Sequence, residues 1–219
     1  MSITEAILNR KSIRGFKKNL VSKDMLQEIL DVATRAPSAT NSQPWEITVV
    51  SGTPLENIRH DNLRILKQGD KSIRHDNFTS IYRERQIKLA KQIFNLMGIK
   101  REDKEKRKEW QRRGFRFFDA PAAIIISMDG SLKGNQWSLF DIGLLTQNIC
   151  LVALNYQLGT CIEAQGVSFP EVIKKHAKIA DNKEIVIGIA IGYPDWNFPA
   201  NSLRSEREKL ENITAWISD

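Results

Sequence analysis

A chain of 219 residues, 41% hydrophobic and 27% charged, is long enough for one domain with a real core and too apolar to be disordered. Its formal net charge of +7 is concentrated in Lys100–Arg116, where nine Lys or Arg face four Asp or Glu. The signs are interleaved, so a solvated helical face explains that stretch better than a nucleic-acid surface.

Ser2 and Glu5 have capping-box spacing, which predicts a helix from Ile3 to Arg10. Ser22 caps a second helix, with Leu26, Ile29, Leu30 and Ala33 on one face, and Pro37 ends it near Ala36. Pro37–Trp45 reads as a loop and Glu46–Ser51 as a strand rich in β-branched residues. From Thr53 to Phe118 the pattern is polar and helical, two or three helices forming an excursion at about 55–116 that is read as a lid on one domain spanning 1–219. Ala122–Ser127 is an apolar strand. Gln136–Gln157 is apolar on most faces, as in a helix buried at the centre of a protein. A short strand, Gly159–Glu163, precedes a helix over Phe169–Lys178 with Pro170 in its first turn. Glu184–Tyr193 is a buried strand. The polar tail from Leu203 carries Leu210, Ile213, Trp216 and Ile217. Strands and helices alternate without βαβ spacing, so the fold class is α+β: one mixed or antiparallel sheet flanked by helices, with a long central helix.

Several chemistries have no support. No two glycines are spaced as GxG, so neither a dinucleotide fingerprint nor a P-loop can be drawn. His60, His75 and His176 are far apart in sequence, with no HExxH and no GxSxG, so no metal site is expected. Cys150 and Cys161 lack CxxC spacing and read as two buried thiols. The longest apolar run, Leu139–Leu158, is broken by Asp141, Gln147, Asn148, Asn155 and Gln157, short of the roughly 18 residues of a membrane span. The first residues show no basic-then-apolar leader, and a cytoplasmic location is expected.

Three polar clusters remain. Arg10-Lys11-Ser12-Ile13-Arg14 packs three cations and a hydroxyl into five residues, a grip suited to phosphate, though cations also suit a helix C-terminus. Pro37-Ser38-Ala39-Thr40-Asn41-Ser42-Gln43-Pro44-Trp45 offers small and amide groups in a loop. Arg204-Ser205-Glu206-Arg207 follows a Pro-containing loop.

Together, Arg-x-Ser-x-Arg near the N-terminus and the Ala36-Pro-Ser-x-x-Asn-x-Gln-Pro-Trp45 run resemble the signature of the nitroreductase family. Phe117-Phe118-Asp119-Ala120-Pro121, Asp141-Ile142-Gly143, Gly159–Glu163, Ile191-Gly192-Tyr193-Pro194 and the late Arg204 and Arg207 extend the resemblance, which is weak from Leu55 to Trp110. It implies a nitroreductase-like fold, an intertwined homodimer, and FMN held at the dimer interface. By that resemblance Arg10, Ser12, Arg204 and Arg207 hold the FMN phosphate with Lys11 adding charge, and Arg14 lies at the pyrimidine edge. Pro37, Ser38, Ala39 and Asn41 reach the cofactor from the partner subunit, and Glu163 and Ala164 lie beside the central ring. The family often has Lys where Arg14 and Arg204 stand; the charge is kept and the shape differs. The implied activity is ping-pong transfer of hydride from NAD(P)H to small electron-poor acceptors such as nitroaromatics or quinones, with no acid or base side chain required. Flavin reductase, ene-type reductase, reductive dehalogenase and flavin-destroying activities occur in the same family pattern, and a basic nucleic-acid-binding protein is the more distant alternative. The apolar central helix and the Trp216-Ile217 tail independently suggest docking onto a second copy.

Overall fold

A computed structural model describes residues 1–69 and 78–218; residues 70–77 of the 55–116 segment, His75 among them, lie outside the described residues. The N-terminal helix α1 (Ile3–Asn9) carries the expected capping box, Ser2 accepting from the Glu5 N–H while Glu5 accepts from the Ser2 N–H at 2.7 Å. Ser22 caps α2 (Lys23–Ala33) as expected. That helix ends three residues before Ala36, in a tightened turn where the Thr34 hydroxyl donates to the Asp31 carbonyl at 3.0 Å.

The strands are β1 (Glu46–Ser51), β2 (Ala122–Asp129), β3 (Gly159–Glu163) and β4 (Lys183–Gly192), in the order β1-β2-β4-β3. All pairings are antiparallel. Side-chain alternation on β2 divides the core. Ala122, Ile124, Ile126 and Met128 pack toward α2 and the long helix α6 (Gln136–Asn155); Ala123 and Ile125 pack toward α3 (Gly52–Lys67) and α7 (Pro170–Ala177). Ile124, Ile125 and Ile126 are fully buried, each stabilising the fold by roughly 1.5–3 kcal/mol.

Three expectations change. The segment read as an excursion belongs in part to the core, because α3 buries Leu55 and Ile58 there and α5 (Lys104–Phe115) ends there with Phe115; α4 (Ser80–Leu96) buries little, Ile93 alone among its residues being buried. Second, α6 is not enclosed. Its Ile142, Leu145, Ile149, Cys150 and Ala153 face the core, whereas Trp137 and Phe140 are 72% and 62% exposed. By length and composition α6 would also suit a membrane span, with mean hydropathy 1.4, but its inner face is part of the core. Third, His60 and His176 come together: α3 packs on α7, and both rings meet Asp61, at 3.4 and 2.8 Å. The His176 bond, joined by Arg64, holds the Asp61 carboxyl well below the ordinary carboxylate range.

Candidate functional site

After α1 the chain does not stop but lies along the edge of β3. The Ile13 N–H donates to the Thr160 carbonyl at 2.9 Å, and Ser12 bridges Thr160 in parallel. This close approach requires Gly159, where a Cβ would meet Ile13 Cγ1 at 2.5 Å. Gly15 serves the same end, since a Cβ there would overlap the Phe198 ring at 2.2 Å. Arg10, Lys11, Ser12 and Arg14 are thereby laid out in extended backbone, each half-buried.

Asn201, fully buried, ties that segment to the C-terminal loop. Its side-chain oxygen accepts from the Arg14 and Gly15 N–H groups at 2.7 and 3.2 Å, and its amide donates to the Gly15 and Asp195 carbonyls at 2.7 and 2.8 Å. Three residues on, Arg204 comes close enough to Lys11 to disfavour its proton; burial lowers the Lys11 pKa first and Arg204 second. Lys11 also lies 5.0 Å above the Trp196 ring. Among the described residues neither cation has a carboxylate partner.

At the end of β3, Glu163 is buried beside Arg14. Burial pushes its carboxyl up to about 8, against the pull of Arg14, and its Oε2 has no hydrogen-bond partner. Burial, then Glu163, pushes the neighbouring Cys161 thiol upward, so it stays protonated and inert. Arg14 lies 6.0 Å from the Phe118 ring. Phe117, Phe118 and Asp119 form a left-handed turn with φ of 55°, 51° and 58°, each costing roughly 1–2 kcal/mol. Arg59 holds it, donating to the Arg116 carbonyl at 2.9 Å and to the Ala120 carbonyl. Arg113 donates to the Arg14 carbonyl at 3.1 Å and lies 4.8 Å over Phe198.

The other expected residues are not assembled here. In the Pro37–Trp45 loop, Thr40, Asn41 and Gln43 take left-handed φ of 50°, 60° and 45°, a concentration of strain typical of functional loops. Its anchor is the Ala39 N–H donating to buried Asp141 at 3.1 Å, near the start of α6. Lys11 and Ile13 instead share a cavity with Leu154 and Leu158, at the other end of that helix. Thirteen residues of helix separate Asp141 from Leu154, roughly 20 Å, so within one chain Pro37, Ser38, Ala39 and Asn41 stand apart from the cations. Ala164 is exposed directly after Glu163. Arg207 is exposed and turns back onto its own loop, donating to the Ser205 hydroxyl at 2.8 Å.

Asn201, Arg59 and Arg113 have no place in the sequence reading, and Phe118 enters it only as part of the family pattern. The Pro-containing loop before Arg204 was the one available signal for Asn201, and it does not reveal a partner 187 residues away.

The residues present suit the phosphorylated flavin that the resemblance implies. Lys11 has Arg204 in electrostatic reach and no counter-ion among the described residues, and an orphaned Glu163 carboxyl oxygen lies beside Arg14.

The sequence profile of the Nitroreductase family matches residues 7–193. The chain is 34% identical to a 4-nitrobenzoate reductase of Pseudomonas putida over 96% of its own length and 93% of that protein's. It is 29% identical to a nitrobenzene nitroreductase of Ectopseudomonas oleovorans, with 99% and 97% covered. Among solved structures, the FMN and NADPH-dependent nitroreductase NfnB from Sphigopyxis sp. strain HMH superposes with a TM-score of 0.93 at 24% identity, both chains covered fully. The FMN-dependent NfnB from Mycobacterium smegmatis in complex with NADPH gives 0.90 at 20% identity, covering 98% and 97%. At these identities the structural likenesses establish the fold.

Proposed function

The chain belongs to the nitroreductase family, and from that premise we propose that it is an FMN-dependent oxidoreductase that uses NAD(P)H to reduce small electron-poor acceptors, nitroaromatics or quinones among them. The observation that carries the reading is the tie made by Asn201, which fixes the Arg14–Gly15 backbone to the C-terminal loop three residues before Arg204, with Arg204 in electrostatic reach of Lys11. When bound, FMN supplies the hydride chemistry between NAD(P)H and the acceptor. The protein's residues do the rest. Arg10, Lys11, Ser12 and Arg204 would hold the phosphate through charge-assisted hydrogen bonds, and Arg207 would join them on leaving its bond to the Ser205 hydroxyl. Arg14, fixed by Asn201 and packed near Phe118, stabilises the negative charge that grows at the end of β3. Glu163 keeps its proton up to about pH 8, so it leaves the Arg14 charge uncancelled at neutral pH. One site serves donor and acceptor in turn, which gives ping-pong kinetics.

The site is completed by a second copy. Ala39 is tied to Asp141 and Lys11 shares a cavity with Leu154, positions separated by roughly 20 Å of helix rise, so the two stand at opposite ends of α6 and a second copy is needed to bring both to one cofactor. The uncovered side of α6, with Trp137 and Phe140, and the tail residues Trp216 and Ile217, 86% and 96% exposed, form the apolar surface that an intertwined homodimer buries.

Purified protein is expected to be yellow, to release FMN on denaturation and to sediment as a dimer. Arg14→Ala is expected to lower the flavin potential and slow its reduction. A colourless protein that binds no added FMN sinks the proposal; a flavin-loaded monomer at micromolar concentration sinks the dimer.

A further inference from the structure

Between α4 and α5 runs a groove of about 830 Å³ whose lining includes Gln165, two residues beyond Glu163. Its walls mix aromatic and cationic side chains: Phe94 and Trp110, with Arg83, Lys91, Arg101 and Arg107, and no Asp or Glu. Trp110 lies 5.9 Å from Phe118, the ring that Arg14 approaches, so the groove opens beside the site already described. Gly114 permits this closeness, because a Cβ there would meet Gln165 Oε1 at 2.1 Å.

The cations of α4, α5 and the residues flanking them differ in their pairing. Outside the groove most are paired: Lys106 with Asp103, Lys108 with Glu105, Arg112 with Glu109, Arg113 and Arg116 with Asp119, Arg85 with Glu208, Lys88 with Glu206, whereas Lys104 has no carboxylate partner among the described residues. Among the described residues, Arg83, Lys91, Arg101 and Arg107 have no carboxylate partner. Arg107 is instead held over Phe94 at 5.1 Å and donates to the Arg101 carbonyl at 3.3 Å, leaving guanidinium capacity free. Unneutralised cations beside aromatic faces at one end of a reaction site suit a flat ligand with an anionic end.

We propose that the α4–α5 groove selects the acceptor, and that it takes planar aromatic acceptors bearing a carboxylate, whose anionic end meets Lys91 and Arg107. This rests on the flavoenzyme reading above. The same cations could instead meet the extra phosphate of NADPH, and the experiment separates the two.

The ratio of kcat/KM for 4-nitrobenzoate over 4-nitrobenzamide is measured with NADH and with NADPH, in the parent enzyme and in a Lys91→Gln, Arg107→Gln double variant. Binding of non-reducible 4-methylbenzoate is followed by calorimetry on the same proteins. The parent is expected to prefer the carboxylate, and the double variant to lose about a hundredfold of that preference, about tenfold for each of the two charge-assisted bonds removed. Arg107→Lys should retain most of it, Lys108→Gln on the paired face all of it, and added salt should weaken 4-methylbenzoate binding. A parent ratio near one with no 4-methylbenzoate binding overturns the proposal. So does a double variant that changes the NADPH-over-NADH preference and leaves the carboxylate preference intact. If neither nitro compound is reduced but 4-methylbenzoate binds the parent and not the variant, the groove assignment stands and the flavoenzyme reading falls.

Discussion

The Arg10–Arg14 segment lies along β3 from its start at Gly159–Thr160, the α4–α5 pair faces Gln165 beyond its end, and the two are held by opposite means. The first lies on a sheet edge, admitted by Gly159 and Gly15 and stapled by fully buried Asn201 with four hydrogen bonds to backbone. In the second, α4 meets the C-terminal loop through exposed ion pairs such as Lys88–Glu206, with both side chains more than 60% exposed. A rigid clamp for the common cofactor beside a loosely anchored wall for the acceptor is the division expected of an enzyme whose chemistry belongs to the cofactor and whose specificity belongs to the protein.

Asn201→Ala strikes the rigid wall and should cost the most, about 4 kcal/mol, because several buried backbone groups lose their partner; urea unfolding with unchanged m measures it, and a loss under about 1 kcal/mol breaks the contrast. Glu163 comes next. Its folded pKa of about 8 lies above the ordinary 4.5, so between those values the folded state keeps a proton that the unfolded state has lost. Stability therefore falls as pH rises from about 4.5 to 8 and levels off above. Glu163→Gln should flatten that slope in thermal melts across the range; a slope that persists removes Glu163 as its source. Arg113→Met severs the link between the walls, the bond to the Arg14 carbonyl and the stack on Phe198, and about 1–2 kcal/mol should be lost. Lys88→Gln removes only an exposed pair and should change stability by less than about 1 kcal/mol, measured beside Asn201→Ala.

The rigid wall was also the legible one. Its cations, its serine and the family pattern stand in consecutive residues, whereas the α4–α5 wall lies where the resemblance is weak, and its character depends on which cations lack a carboxylate. That pairing is set by helix rotation and by contacts such as Arg85–Glu208, far apart in the chain. The strained Phe117–Asp119 turn was equally hidden, since non-glycine residues with positive φ leave no local mark and depend on Arg59 from another helix.

Strands β1 and β3 emerge with the bounds their β-branched and apolar runs suggest, and the caps at Ser2 and Ser22 and the placing of Pro170 in the first turn of α7 hold, because capping and periodicity are local and are written in neighbouring residues. Tertiary structure alone decided that α3 joins the core, that α6 leaves one side bare, that Asp61 gathers His60 and His176, and that Asn201 joins the two ends of the chain. Each of these depends on which surfaces meet after the chain has folded, and residues more than 100 positions apart carry no shared local pattern by which to announce that they will touch.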